Sequence, residues 1–358
     1  VLRLSFFLLI ALCTSAPARD DSARFIGSVG CKSSSCHGGA GEKRSQYITW
    51  SQKDFHNRAY TILLDARSAR IGEALGIAQP QSSARCTVCH SPFQSVAAER
   101  LTATAHADEG VSCENCHGAA EPWLRGHTRT DWTYATRVSA GMHDLRNLYV
   151  RANACVACHQ NVDADILKAG HPELVFELDS QSVNEPRHWR EDDPAIGPRS
   201  WLVGQAVALR EIMWQLNKSA DTERDHLFAQ ASALTWLLDR AGLGQNVSAI
   251  SSFVGIQLQA DSIARDAAKW NPTNDALMSI LQTLVGSDSE FQSTKSAHDD
   301  VFYRALRLEL ALERFSAALN LSQKIDKELN ALRADVQRHY DFDGAAFAEH
   351  LRAFRAKL

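Results

Sequence analysis

Gly110-Val111-Ser112-Cys113-Glu114-Asn115-Cys116-His117-Gly118 holds two cysteines three apart with a histidine directly after the second, and this kernel returns along the chain. It stands again as Cys86-Thr87-Val88-Cys89-His90 and Cys155-Val156-Ala157-Cys158-His159, and in wider form as Cys31-Lys32-Ser33-Ser34-Ser35-Cys36-His37. The chain has 9 cysteines and 14 histidines in 358 residues. At that composition about 0.01 chance occurrences of the five-residue motif are expected. Three are present, so the pattern has a chemical cause. C-x-x-C-H is the attachment motif of c-type haem: two thiols add to the vinyl groups on one edge of the porphyrin, and the next residue brings an imidazole under the ring to the iron.

Two other readings of paired cysteines fit less well. Zinc would need the pairs joined into four-ligand sets and leaves the following histidine unexplained. Disulfides are open to an exported chain, but a two-residue spacing belongs to redox-active bridges, and four of those in one chain would be odd. The expected cofactors are therefore four covalently attached c-type haems, bound through Cys31 and Cys36, Cys86 and Cys89, Cys113 and Cys116, and Cys155 and Cys158. The expected proximal iron ligands are His37, His90, His117 and His159. The first site needs a longer loop, because four residues separate its cysteines.

At 45% hydrophobic and 22% charged, the chain can bury one large core or two ordinary ones. That balance argues against disorder and against a polytopic membrane protein. The net charge of −4 supplies no basic excess for phosphate binding, so nucleic acid is not an expected partner. Val1–Ala18 reads as a secretory signal: Arg3 gives the leading charge, Phe6 to Cys13 the apolar stretch and Ala16-Pro17-Ala18 a small-residue cleavage site. The apolar run is short for a bilayer span. The expected location is periplasmic or otherwise exported, among redox protein partners, with membrane association open to an uncleaved signal segment but not intrinsic.

Methionine is scarce in the cysteine-bearing half, Met142 standing alone, so bis-histidine ligation is expected, with potentials below the Met/His range. A distal imidazole must reach its iron from the far face of the ring, so it comes from chain attached elsewhere. Six histidines are available for four positions: His56, His106, His127, His143, His171 and His188. The expected four are His56, in a helical stretch after the first motif; His106, ahead of Cys113; His127, in the loop after the third motif; and His171. Gly170 lets the backbone approach at His171 and Pro172 stiffens the exit. His188 and His143 are held in reserve, with surface or supporting roles as the alternative.

With these residues in view, the chain resembles the tetrahaem cytochrome c-554 family of multihaem c-type cytochromes, known as electron acceptors of hydroxylamine oxidation. The likeness rests on Trp50-x5-His56, on Gly110 to Gly118, and on His127 ten residues beyond His117. Arg151-Ala152-x2-Cys155-x2-Cys158-His159 followed by Ala169-Gly170-His171-Pro172 is closer to the broader relatives. It spans roughly residues 27–190 and implies that His56 and His127 are distal ligands. The founding type leaves its second haem, here the one on Cys86 and Cys89, with an open coordination site. His106 and His171 depart from that type, as does the widened first motif.

Beyond Asp192-Asp193-Pro194-Ala195-Ile196-Gly197-Pro198 there is no further cysteine and the pattern turns helical. Leu202, Ala206, Leu209, Met213 and Leu216 recur at helical spacing, as do Leu227, Ala231, Leu234 and Leu238, and a long stripe runs from Phe302 to Val336. His226, His298, His339 and His350 are expected to be solvated. The expected fold class is mainly α: a haem-packed multihaem domain with few strands over 19–195, after a signal segment at 1–18, then an all-α helical bundle over 196–358. The expected function is periplasmic electron transfer rather than catalysis. The alternative is a multihaem redox enzyme with one open haem acting on a small nitrogen or sulfur oxide.

Overall fold

Residues at i, i+3 and i+4 share one face of a helical turn, and three of the four cysteine motifs are folded that way. The computed structural model describes residues 22–220, 224–292 and 297–358; the expected signal segment lies outside them. In the first part the helices are α1 (Gln46–Lys53), α2 (Ala59–Ile62), α3 (Ala66–Ala74), α4 (Ala84–His90), α5 (Cys113–His117), α6 (Tyr134–Ser139), α7 (Leu148–His159), α8 (Ala164–Lys168) and α9 (Leu178–Asn184). The second part holds α10 (Ile196–Lys218), α11 (Asp225–Arg240), α12 (Phe253–Ala267), α13 (Asn274–Val285), α14 (His298–Ala318), α15 (Ser322–Asp335) and α16 (Gly344–Arg355). Among the described residues the fold is mainly α-helical, with one isolated bridge, Phe25 to Leu101. None of the described helices is long and apolar enough to cross a membrane.

His90, His117 and His159 are each the last residue of their helices α4, α5 and α7. The chain therefore turns away directly after the imidazole, leaving it at the helix rim. After His117 the turn needs Gly118, whose φ is +82° and where a Cβ would sit 2.9 Å from the His143 ring. The widened first motif forms turns instead of a helix, as its spacing requires.

Polar anchors hold this part together. Glu114, buried within α5, accepts backbone N–H bonds from Ile26, Gly27 and Ala120 at 2.6–3.0 Å, and so ties the start of the described chain to the third motif. Trp50 Nε1 donates to the Val111 carbonyl at 2.9 Å, and the Val111 N–H donates to the His56 carbonyl at 3.0 Å. Gly110 permits this approach: its φ is +72°, and a Cβ there would lie 2.5 Å from that same His56 carbonyl oxygen.

Helix α7 joins the two parts. Leu148, Ala152 and Val156, at four-residue intervals, are buried in the same apolar cluster as α10 and its neighbours, while Cys155, Cys158 and His159 occupy the rest of the helix. Phe176 and Leu178 belong to that cluster too, and Gly204 of α10 lets Leu178 come close, since a Cβ there would be 2.8 Å from the Leu178 nitrogen. The turn-rich break at 192–198 thus marks the start of α10, and the apolar core runs through it. Pro198 in the first turn suits a helix start. Along α10 every residue from Ser200 to Leu209 is buried, the pattern of a central helix.

The long apolar stripe from Phe302 to Val336 is two helices. Asn320, with φ +57°, reverses the chain between α14 and α15. The histidines here are partnered: His339 stacks on Phe302 with centroids 4.1 Å apart and donates from Nε2 to Asp299 at 3.1 Å. His350 Nδ1 meets Asp335 at 2.7 Å.

Candidate functional site

Two imidazoles on opposite faces of one iron, each with a metal–nitrogen bond of about 2 Å, place their ring centroids about 6 Å apart. Among the described residues, four pairs that include a motif histidine have that separation. His37 faces His127 at 6.1 Å, His90 faces His171 at 6.3 Å, His117 faces His188 at 6.4 Å, and His159 faces His56 at 5.9 Å. Each pair joins one histidine of a cysteine motif to one from a distant stretch of chain.

Five of the eight rings have an outward Nδ1 fixed by a hydrogen bond, the arrangement that leaves Nε2 free for a metal. His37 Nδ1 donates to Gln46 Oε1 at 3.0 Å, His90 Nδ1 to the Ala59 carbonyl at 3.1 Å, and His171 Nδ1 to the Pro172 carbonyl at 2.8 Å. His127 Nδ1 donates to the Leu124 carbonyl and His56 Nδ1 to the Asp54 carboxylate at 3.0 Å. His188 Nδ1 is buried without a well-formed partner, with the Pro186 backbone beside it.

Burial sets the charge of five of these rings. It pushes His117 down to about 4 and lowers His90, His159, His188 and His127 from the usual histidine range. Neutral imidazole is the form that ligates metal. His56 is shifted the other way, raised by its hydrogen bond to Asp54. Burial works against ionisation of Asp54, yet the His56 side chain and backbone together bring its pKa below the ordinary value.

The cysteines Cys31, Cys36, Cys86, Cys89, Cys113, Cys116, Cys155 and Cys158 are all free thiols. Thiols of different motifs are neighbours: Cys31 lies beside Cys113, and Cys89 beside Cys158. Cys116 lies within electrostatic reach of Cys155, and burial pushes both thiols up to about 12. The four motifs therefore meet in the order first, third, fourth, second. Phe55, Ile62, Leu64 and Val88 present uncovered apolar side chains in the same part of the molecule. Facing imidazoles at iron-spanning distance, free thiols and uncovered apolar side chains fit the haem group that the motifs imply.

One expected ligand does not join these pairs. His106 is exposed in the loop before the third motif, where its own N–H donates to Glu109 Oε1 at 3.0 Å and closes a turn. Its place facing a proximal imidazole goes to His188, which the adjoining Trp189 packs edge-on at 5.2 Å. His143 sits behind the third motif: its Nδ1 donates to the Cys116 carbonyl at 2.8 Å, and its N–H to the His117 carbonyl. Asp54 escaped sequence reasoning, although an acidic residue two positions before a candidate ligand was a usable signal.

Comparison with known proteins covers part of the chain. Residues 30–118, which contain the first three motifs, match the family described as cytochrome c554 and c-prime. No curated protein and no solved structure matches the chain. Over residues 30–118 the chain is thus similar to the cytochrome c554 and c-prime family, and this stretch forms a c-type cytochrome-like domain.

Proposed function

We propose that this protein is an exported, periplasmic tetrahaem c-type cytochrome that carries electrons between redox protein partners. Each cysteine pair holds one haem. The imidazoles that would hold each iron are His37 with His127, His90 with His171, His117 with His188, and His159 with His56. The bound group supplies reversible one-electron iron chemistry. The protein's own residues supply everything else: both axial imidazoles at each site, hydrogen bonds that fix their orientation, and the neighbourhood that orders the four sites.

The observation that carries this reading is the second imidazole facing each proximal one. It includes His171 opposite His90 at 6.3 Å, at the site where the family resemblance implies an open iron. Two imidazoles leave no position for a small nitrogen or sulfur oxide, which favours a carrier over an enzyme. The cross-motif thiol contacts support a continuous electron path through the first, third, fourth and second sites. The test is electron paramagnetic resonance of the oxidised holoprotein together with a pyridine haemochrome assay. Four haems per chain with four low-spin irons are expected; an iron that is high-spin, or that binds carbon monoxide when reduced, would remove the basis for a pure carrier.

A further inference from the structure

Of the six outward Nδ1 atoms described above, only that of His56 meets a charged acceptor. Gln46 offers His37 a neutral amide oxygen, and His90, His127 and His171 meet backbone carbonyls. Asp54 is 5% exposed, and its Oδ1 accepts both His56 Nδ1–H and the His56 backbone N–H at 3.0 Å, so the carboxylate is held in place from two sides. A second carboxylate, Glu185, lies in the same cluster, its oxygen within 4.8 Å of the ligand atoms of Asp54 and His56. The nearby Arg151 is turned to another partner, Glu191.

A carboxylate on Nδ1–H draws the proton toward itself and makes Nε2 a stronger donor to ferric iron, and its charge opposes adding an electron. We infer that Asp54 is a positioning residue that makes the haem held by Cys155, Cys158, His159 and His56 the lowest in potential of the four. This rests on the ligation proposed above. Reduction there would take one electron from a reduced one-electron partner protein, which is oxidised by one, while Asp54 keeps the Nδ1 proton on His56. Because the fourth motif lies between the third and the second in the contact order, an electron crossing the chain meets its least favourable stop inside the path.

Asp54 also caps the turn that begins at Phe55. Asparagine caps as well as aspartate does, so Asp54→Asn separates the cap from the charge. In the holoprotein, Asp54→Asn should retain four low-spin irons, move one ferric resonance signal, and raise the lowest potential at least tenfold in its one-electron equilibrium, about 59 mV. The mirror variant Gln46→Glu gives His37 a carboxylate and should lower a different haem by a similar factor. Unchanged potentials in either variant, with four low-spin irons intact, would overturn the role of Asp54. If the unsubstituted holoprotein lacked four low-spin irons, the ligation itself would be wrong, and that failure is visible before any variant is made.

Discussion

The two parts of the molecule are stabilised differently. Between residues 22 and 147 the buried apolar side chains are Ala23, Trp50, Leu63, Phe93, Ala120 and Trp123, set among short helices and held by bonds such as those at Glu114. From Leu148 onward a single apolar cluster runs through α7, Phe176, Leu178 and all of the long helices, with α10 at 23 residues and α14 at 21. A stretch with so few buried apolar groups does not offset the entropy of ordering its backbone. Bound groups would complete its core, whereas the bundle completes its own. The change of regime falls at the start of α7, so the fourth motif straddles it: Cys155 packs against the bundle core, while Cys158 and His159 face the second motif and His56 in the cytochrome-like part.

The largest expected effect breaks this comparison directly. A full chain made without haem attachment should lose protection from about residue 22 to 147 while 148–358 keeps its helical signal, because cofactor binding and folding are coupled where the cofactor is the core. Limited proteolysis with mass mapping reads this; uniform protection across both parts would erase the distinction.

Next in size are the distal histidines. His171→Ala and His188→Ala should each convert one iron to high-spin, let it bind carbon monoxide when reduced, and leave the other three low-spin, whereas His106→Ala should leave all four unchanged. Spectra of the three variants side by side decide between His188 and His106.

Within the bundle, Leu178→Ala removes a fully buried side chain packed on Gly204 and should cost about 2–5 kcal/mol. Denaturant unfolding followed at the helical signal measures it. A loss well under 1 kcal/mol would mean that the segment after the fourth motif is only draped on the bundle.

The smallest expected effect is a pH slope. Burial, reinforced by Asp179, pushes Glu177 up to about 7, and burial pushes Asp179 itself up to about 6 despite Arg314. These carboxyls bind protons more tightly folded than unfolded. Stability is therefore highest below the unfolded pKa and falls as pH rises through the folded value, with a slope of up to about 1.4 kcal/mol per pH unit for each group. Glu177→Gln should flatten that slope, and an unchanged slope would place its origin elsewhere.

The helical character of both parts was legible in local pattern. Cysteine and histidine at i, i+3 and i+4 indicate one helical turn, and α4, α5 and the end of α7 are those turns. Apolar residues at three-to-four spacing foretold α10 and α11, but not the reversal at Asn320, because a single residue in the left-handed region leaves the stripe before and after it intact.

The sequence by itself determined what is local: which thiols and which following imidazoles stand together, since these lie within five to seven residues of one another, and which stretches must bury an apolar face. Only the tertiary structure decided what is not local. His188 instead of His106 faces His117 because a distal ligand approaches from the far side of a ring, on chain whose path depends on packing elsewhere, here the segment leading from α9 into α10. The same holds for the order in which the motifs meet, which rests on Cys31 reaching Cys113 and Cys89 reaching Cys158. The continuous core across residue 195 was hidden for a related reason. A turn-rich run marks where a helix stops, but whether the next helix packs back on the previous one depends on faces such as Leu148, Ala152 and Val156, whose partners lie far along the chain.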